Sequence, residues 1–213
     1  MPAPGPGGKF IDSFQGNKLN SKWIVDRISS GGQNNGVYVI QVKDGKLYLA
    51  ATSGGTESDW WGARLRLPLN VAAGQDVIVE GEMRQKATVA IQSLMGVGFN
   101  QPLQVATDNG LEANYSGGVL NYTFGRRAST KTLWPGFPGT NQVNLPIDNI
   151  FPFRLVRQNS YLKIYIAGFY VYGGSFAGAI TSLDLTAGWY QAVTFNSEKW
   201  YNWISVSPRE VVQ

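Results

Sequence analysis

The chain contains no cysteine and no histidine. Without thiols there is no disulfide framework and no thiolate metal centre. Without imidazole the commonest general base and the commonest metal ligand are missing, and a Ser-His-Asp triad is excluded. Charge is scarce as well: Asp, Glu, Lys and Arg make up 15% of residues, and the net charge is +4. So low a charged fraction excludes a disordered chain. A scattered +4 is too small to predict a nucleic-acid partner. No apolar run approaches the roughly 20 residues that cross a bilayer, so no membrane insertion is expected. The opening Met1-Pro-Ala-Pro-Gly-Pro-Gly-Gly lacks the apolar core of a secretory signal. No window of about 11 residues carries a helical apolar period.

What the chain has instead is glycine, 26 of its 213 residues, and aromatics at 13%, within a hydrophobic share of 43%. A chain this long buries about 70% of its unfolded surface and needs no staple. Short apolar stretches alternate with turn signals from Phe10 onward. Strands are expected near Lys46–Ala51, Ala63–Leu67, Val77–Arg84, Ser93–Phe99, Leu111–Tyr115, Val119–Phe124, Phe153–Gln158, Tyr161–Ile166, Phe169–Tyr172, Val193–Phe195 and Tyr201–Val206. Asp44-Gly45 is a hairpin signal, and Gln158-Asn159-Ser160 and Ser116-Gly117-Gly118 separate further β-patterned runs. These features predict an all-β fold, a two-sheet antiparallel sandwich, over residues 10–213, preceded by a Pro/Gly-rich arm at 1–9. The segment Ala128–Asn149, with three prolines and two glycines, reads as a long loop of the kind that often carries function.

Several segments carry a resemblance in their order. Phe10-Ile-Asp-Ser-Phe-Gln-Gly-Asn-Lys-Leu-Asn-Ser-Lys-Trp23 presents Asp12, Phe14, Leu19 and Trp23 where concanavalin A-like modules often open with Asp-x-Phe, then Leu, then Trp. Val42-Lys-Asp-Gly-Lys-Leu-Tyr-Leu49 resembles that superfamily's early hairpin. Val77–Arg84 resembles its crossing strand, Phe153–Gly168 its late hairpin, and Tyr201–Val206 its closing strand, which returns beside the first. The chain thus resembles the concanavalin A-like lectin and glucanase superfamily from Phe10 to Val206, which implies a jelly-roll sandwich. The resemblance carries fold better than function.

Hydrolases of this type that resemble laminarinase carry Glu-x-Asp-x-x-Glu on one strand. Here Glu80-Gly-Glu-Met-Arg-Gln-Lys86 offers Glu80 and Glu82 but has Gln85 at the third position, so the pattern is broken. Residues i and i+2 of a strand lie about 6.6 Å apart on one face, within the roughly 5–9 Å that glycoside hydrolysis uses. The competing reading is a solvated face opposite buried Val79 and Met83. No catalytic residue is therefore assigned. The resemblance also allows a structural calcium, for which Asp12, Asp26, Asp44, Asp59, Asp108, Asp148 and Asp184, in or near loops, are the available carboxylates; no spacing among them matches an EF-hand. Otherwise no cofactor is expected.

Lectin-like sandwiches bind sugars with aromatic faces set beside amides and carboxylates, because pyranose rings have apolar faces rimmed by hydroxyls. Asp59, Trp60 and Trp61 form one candidate cluster, and Trp134 and Phe137 another; the competing reading of each is a satellite hydrophobic cluster under the loop. Tyr165, Tyr170 and Tyr172 read as cross-strand packing. The resulting expectation is a non-catalytic module for surface recognition and assembly, binding glycan or neighbouring protein subunits as a homo-oligomer, outside cells or on a virion as a decoration or appendage protein. The alternative is a glycoside hydrolase of β-glucan type using Glu80 and Glu82.

Overall fold

The computed structural model describes residues 9–29, 37–54, 61–87, 92–100, 110–116, 119–125, 127–128, 131–132, 143–146, 148–189 and 194–208. These contain no helix and seventeen strands: β1 (Phe10–Asp12), β2 (Ile24–Ser29), β3 (Val37–Lys43), β4 (Lys46–Gly54), β5 (Trp61–Val71), β6 (Val77–Ala87), β7 (Gln92–Phe99), β8 (Gly110–Ser116), β9 (Val119–Gly125), β10 (Arg127–Ala128), β11 (Lys131–Thr132), β12 (Val143–Pro146), β13 (Ile150–Gln158), β14 (Tyr161–Ile166), β15 (Phe169–Ser175), β16 (Ile180–Trp189) and β17 (Thr194–Pro208).

Period-two alternation sorts them into layers. In β13, Phe151, Phe153, Leu155 and Arg157 are buried while Ile150, Pro152 and Arg154 are exposed, and β6 alternates in the same way from Val77 to Lys86. One antiparallel sheet runs β15-β14-β13-β6-β17-β4-β3, with β1 also paired to β17; the other runs β12-β9-β8-β7-β16-β5-β2. A single hydrophobic core lies between them. Leu47, Leu49, Val77, Val79, Leu155, Ile164 and Ile204 of the first sheet, and Leu65, Leu67, Phe99, Leu183 and Leu185 of the second, have no exposed surface. Strand β17 is flanked along one edge by β6. Its other edge is shared, with β4 opposite Thr194–Tyr201 and β1 opposite Ile204–Val206. The first and last patterned strands are thus neighbours, as expected.

Turn chemistry closes the hairpins. Asp44 and Gly45 both take positive φ, 53° and 67°, between paired Lys43 and Lys46, the geometry of a type I′ turn. Asn159 and Ser160, at 50° and 60°, do the same between β13 and β14. The Asp-x-Phe and Trp motif closes on itself. The Asp12 carboxylate accepts from Phe14 N and from Trp23 Nε1, each at 2.8 Å, and the Trp23 ring meets Phe10 edge-on at 5.9 Å.

Three differences from the sequence reading stand out. Strand β2 was not expected, because its adjacent Ile24 and Val25 are both exposed and break the alternation. Strand β16, at the middle of its sheet, was not expected either. Ser182, Asp184 and Thr186 make one of its faces look solvated, yet all three are buried. Asp184 accordingly sits mid-strand rather than near a loop, and Asp26 lies within β2. Thr194 and Phe195 of the expected stretch Val193–Phe195 belong to the same strand as Tyr201–Val206, β17, and Val193 lies outside the described residues. The polar run between them hid its continuity, although Ser197 and Lys199 face inward.

Candidate binding groove

The residues singled out as sugar contacts are not assembled by the described structure. Asp59, Trp60, Trp134 and Phe137 lie outside the described residues, as does Asp108, and Trp61 begins β5 in register with Ser29 and Trp189. Among the described residues no group of three or more carboxylates comes together as a metal site. Asp148 pairs with Arg84 and Lys86, and Asp184 with Arg64 and Arg66. The Arg84 hydrogen bond, helped by Lys86, holds the Asp148 carboxyl below the usual carboxylate range.

Glu80, Glu82, Arg84 and Lys86 share the outer face of β6, opposite buried Val79 and Met83. Glu80 meets Arg154 Nε at 2.9 Å, and Glu82 accepts from Asn202 Nδ2 at 2.9 Å. Gln85 is 1% exposed and points into the sandwich, away from both carboxylates. The inward–outward alternation of β6 runs without a break from Val77 through Gln85, which keeps position 85 on the inner face.

On this outer face lies a groove of about 370 Å³ lined by Glu80, Pro152, Arg154, Tyr165, Gly168 and Trp203, with Phe153 and Gly81 at its floor. A β-bulge in β17 makes it possible. The register shifts between Tyr201 and Trp203, so Tyr201 opposes Met83 facing inward while Trp203 opposes Glu82 facing outward. An unbulged strand would put Tyr201 and Trp203 on one face. Gly81 is needed beneath. A Cβ there would stand 2.5 Å from Phe153 Cζ and 2.6 Å from the Trp203 carbonyl oxygen. The row Glu80–Arg154–Tyr165–Tyr170 then crosses β6, β13, β14 and β15. Tyr165 and Tyr170 pair edge to face at 5.7 Å, which is the cross-strand packing expected of them. Trp203 and Tyr165 therefore stand on either side of an accessible acid–base pair, on strands three steps or about 14 Å apart at the usual strand spacing. Burial, then the neighbouring Tyr161, raises the Tyr170 hydroxyl pKa.

The second sheet has a polar outer face of a different kind. Buried Asp184 accepts through Oδ1 from buried Arg64 and half-buried Arg66, and through Oδ2 from buried Ser182. Between the sheets, Lys199 is fully buried and donates to the Thr186 carbonyl at 2.8 Å; burial lowers its pKa well below the ordinary lysine value.

No protein-family model matches the sequence, and no curated protein matches it by sequence. Solved structures do match. A protein described under endo-acting O-glycanases of the human gut microbiota that initiate mucin breakdown aligns with a TM-score of 0.60 at 13% identity, over 94% of this chain and 99% of that one. A β-1,3-1,4-glucanase (lichenase) from a mouse hindgut metagenome gives 0.55 at 14% identity, covering 94% and 99%. The carbohydrate recognition domain of Emp47p gives 0.56 at 12%, covering 94% of each. With the order of the strands, these matches show the fold: an all-β jelly-roll sandwich of two antiparallel sheets. At such identities the likeness is one of fold.

Proposed function

We propose that this domain is a non-catalytic carbohydrate-binding module and that the groove between Trp203 and Tyr165 is where the sugar lies. The observation that carries this reading is the groove's composition: two accessible aromatic rings flank a partly exposed carboxylate and guanidinium. Aromatic faces receive the apolar faces of pyranose rings, and the polar pair between them suits the hydroxyl rim. The lectin and glycan-processing structures that share the fold agree with a carbohydrate role without assigning one. The groove needs no loop to close it, since strands of one sheet supply most of its walls.

Titration of the purified chain against an array of oligosaccharides tests this. Trp203→Ala is expected to weaken binding by about 1–3 kcal/mol, the worth of one aromatic stacking partner. Trp60→Ala and Trp134→Ala, the residues the sequence favoured, are expected to bind as the parent does. Loss of affinity in those two with none in Trp203→Ala would move the site to the loops. Glycoside hydrolysis by Glu80 and Glu82 is the competing reading. Both carboxylates are engaged by Arg154 and Asn202, and the third position faces the core, which favours binding over catalysis. Release of reducing ends from a β-glucan, abolished by Glu80→Gln, would reverse this. The same reading places the module at a surface, outside cells or on a virion, with residues 1–9 reaching a neighbouring subunit. The sequence of the arm supports that extension, and only Lys9 of it lies among the described residues.

A further inference from the structure

The outer face of the larger sheet carries cations in two different states. Arg84 meets Asp148 through Nε and Lys86 meets the same carboxylate, and both cations stand over the Trp200 ring, at 4.7 and 5.8 Å, which leaves the Arg84 side chain 30% exposed. Arg154 is otherwise placed. Its single partner among the described residues is Glu80, which it meets through Nε, and its side chain remains 51% exposed. A guanidinium held by Nε keeps its two Nη groups as a fork whose geometry fits a carboxylate bidentately. The Glu80 contact fixes the fork's direction, which lowers the ordering cost of a second partner. Two residues from Tyr165, on the same face of β14, the exposed Lys163 has no partner among the described residues. It lines a second depression of about 370 Å³ with Val156, Gln158, Asn159 and Tyr161.

We infer that the groove selects acidic carbohydrates, those carrying a uronic or sialic acid carboxylate, and that Arg154 reads the carboxylate. The inference rests on the proposed carbohydrate-binding role of the groove and adds the ligand's charge class to it. Trp203 and Tyr165 receive ring faces and would treat neutral and acidic sugars alike. Discrimination comes from the open edge of the Arg154 fork, with Lys163 adding positive potential on one side. Glu80 lies on the Nε edge and so does not occupy the position the ligand carboxylate takes.

The experiment is calorimetric titration of the whole chain with two matched pairs, trigalacturonic acid against its methyl ester and sialyllactose against lactose, at low and at physiological salt. At least one acidic member is expected to bind about tenfold tighter than its neutral counterpart, the margin a charge-assisted bidentate contact gives at a partly exposed site. Arg154→Gln should erase that margin while leaving neutral affinity within about twofold. Arg84→Gln, on the same face but outside the groove lining and covered by Trp200, should retain it. Trp203→Ala should weaken both classes. Equal affinity for acidic and neutral sugars, both lowered by Trp203→Ala, would overturn acid selection and leave the groove reading standing. A preference that survives Arg154→Gln, or that falls equally in Arg84→Gln, would overturn the role of Arg154 in favour of diffuse charge. Absence of binding to all four sugars would overturn the groove reading itself. Unchanged thermal midpoints in the two arginine variants establish that folding is not the cause.

Discussion

Removing the Asp12 side chain should loosen the point where the chain's first and last strands meet. Its two oxygens accept from two buried donors, Phe14 N and Trp23 Nε1, each at 2.8 Å. Phe14 takes a left-handed φ of 53°, a conformation that a non-glycine residue holds only when its surroundings impose it. Asp12→Ala leaves both donors without an acceptor, at about 1–3 kcal/mol each. A total near 3 kcal/mol is a substantial part of the roughly 5–15 kcal/mol by which domains are stable. At about 2–4 °C per kcal/mol for a chain of this size, the thermal midpoint should fall by about 6–12 °C. Asp12→Asn keeps one acceptor and turns an amide N–H toward the other donor, so about half the loss should remain. Urea unfolding followed by tryptophan fluorescence measures both. Trp23→Phe removes one donor, so the double variant with Asp12→Ala should be less destabilised than the sum of the single changes. An Asp12→Ala protein within about 0.5 kcal/mol of the parent, or strictly additive effects, would refute the reasoning.

Two further outcomes are expected. Lys199 is buried, and its folded pKa lies below the 10.5 of the free side chain, so the unfolded chain binds the extra proton and stability should rise as pH climbs toward 10.5. Lys199→Met should flatten that slope in a thermal-midpoint profile; parallel profiles for parent and variant would count against it. Deletion of residues 1–8 should leave the monomer's midpoint nearly unchanged and weaken self-association measured by light scattering; intact association would reject an assembly role for the arm.

How far the sequence leads depends on the range over which a signal acts. The hairpins at Asp44-Gly45 and Asn159-Ser160 were legible because a type I′ turn is set by two residues. The Asp12, Phe14 and Trp23 motif was legible as a pattern. That its purpose is to satisfy the indole N–H and one backbone N–H emerges only from the geometry. Strand β16 was illegible because the charge of buried Asp184 is met across the sheet by Arg64 and Arg66, partners too distant in sequence to be read as such, with Ser182 donating to the same carboxylate. The groove was illegible for two reasons. Its walls come from strands as far apart as Glu80 and Trp203, and the bulge between Tyr201 and Trp203 inverts the face that simple alternation assigns to Trp203. The tryptophans that drew attention from sequence were the ones in turn-rich contexts, whereas Trp203 sits in a regular-looking strand where core packing is the ordinary expectation.

The position of the groove bears on how its binding energetics should be read. The strands that supply Glu80, Arg154 and Trp203 also supply Val79, Phe153 and Ile204 to the core, each alternate residue committed to the interior. A ligand on this face therefore meets groups whose backbone is already fixed by the packing of the domain. Ordering cost on binding is confined to a few exposed side chains, chiefly Arg154, and Glu80 has already restrained that one. Affinity lost in Trp203→Ala should then reflect the ring contact itself, because Trp203 faces outward and its removal takes nothing from the inner face of β17. Core substitutions beneath the groove behave in the opposite sense. Gly81→Ala forces Phe153 and the Trp203 backbone apart from contacts of 2.5 and 2.6 Å, so it should shift the bulge and weaken stability and binding together. Stability unaltered in Gly81→Ala would mean that the bulge is not held by the packing beneath it, and the rigidity of the platform would have to be abandoned.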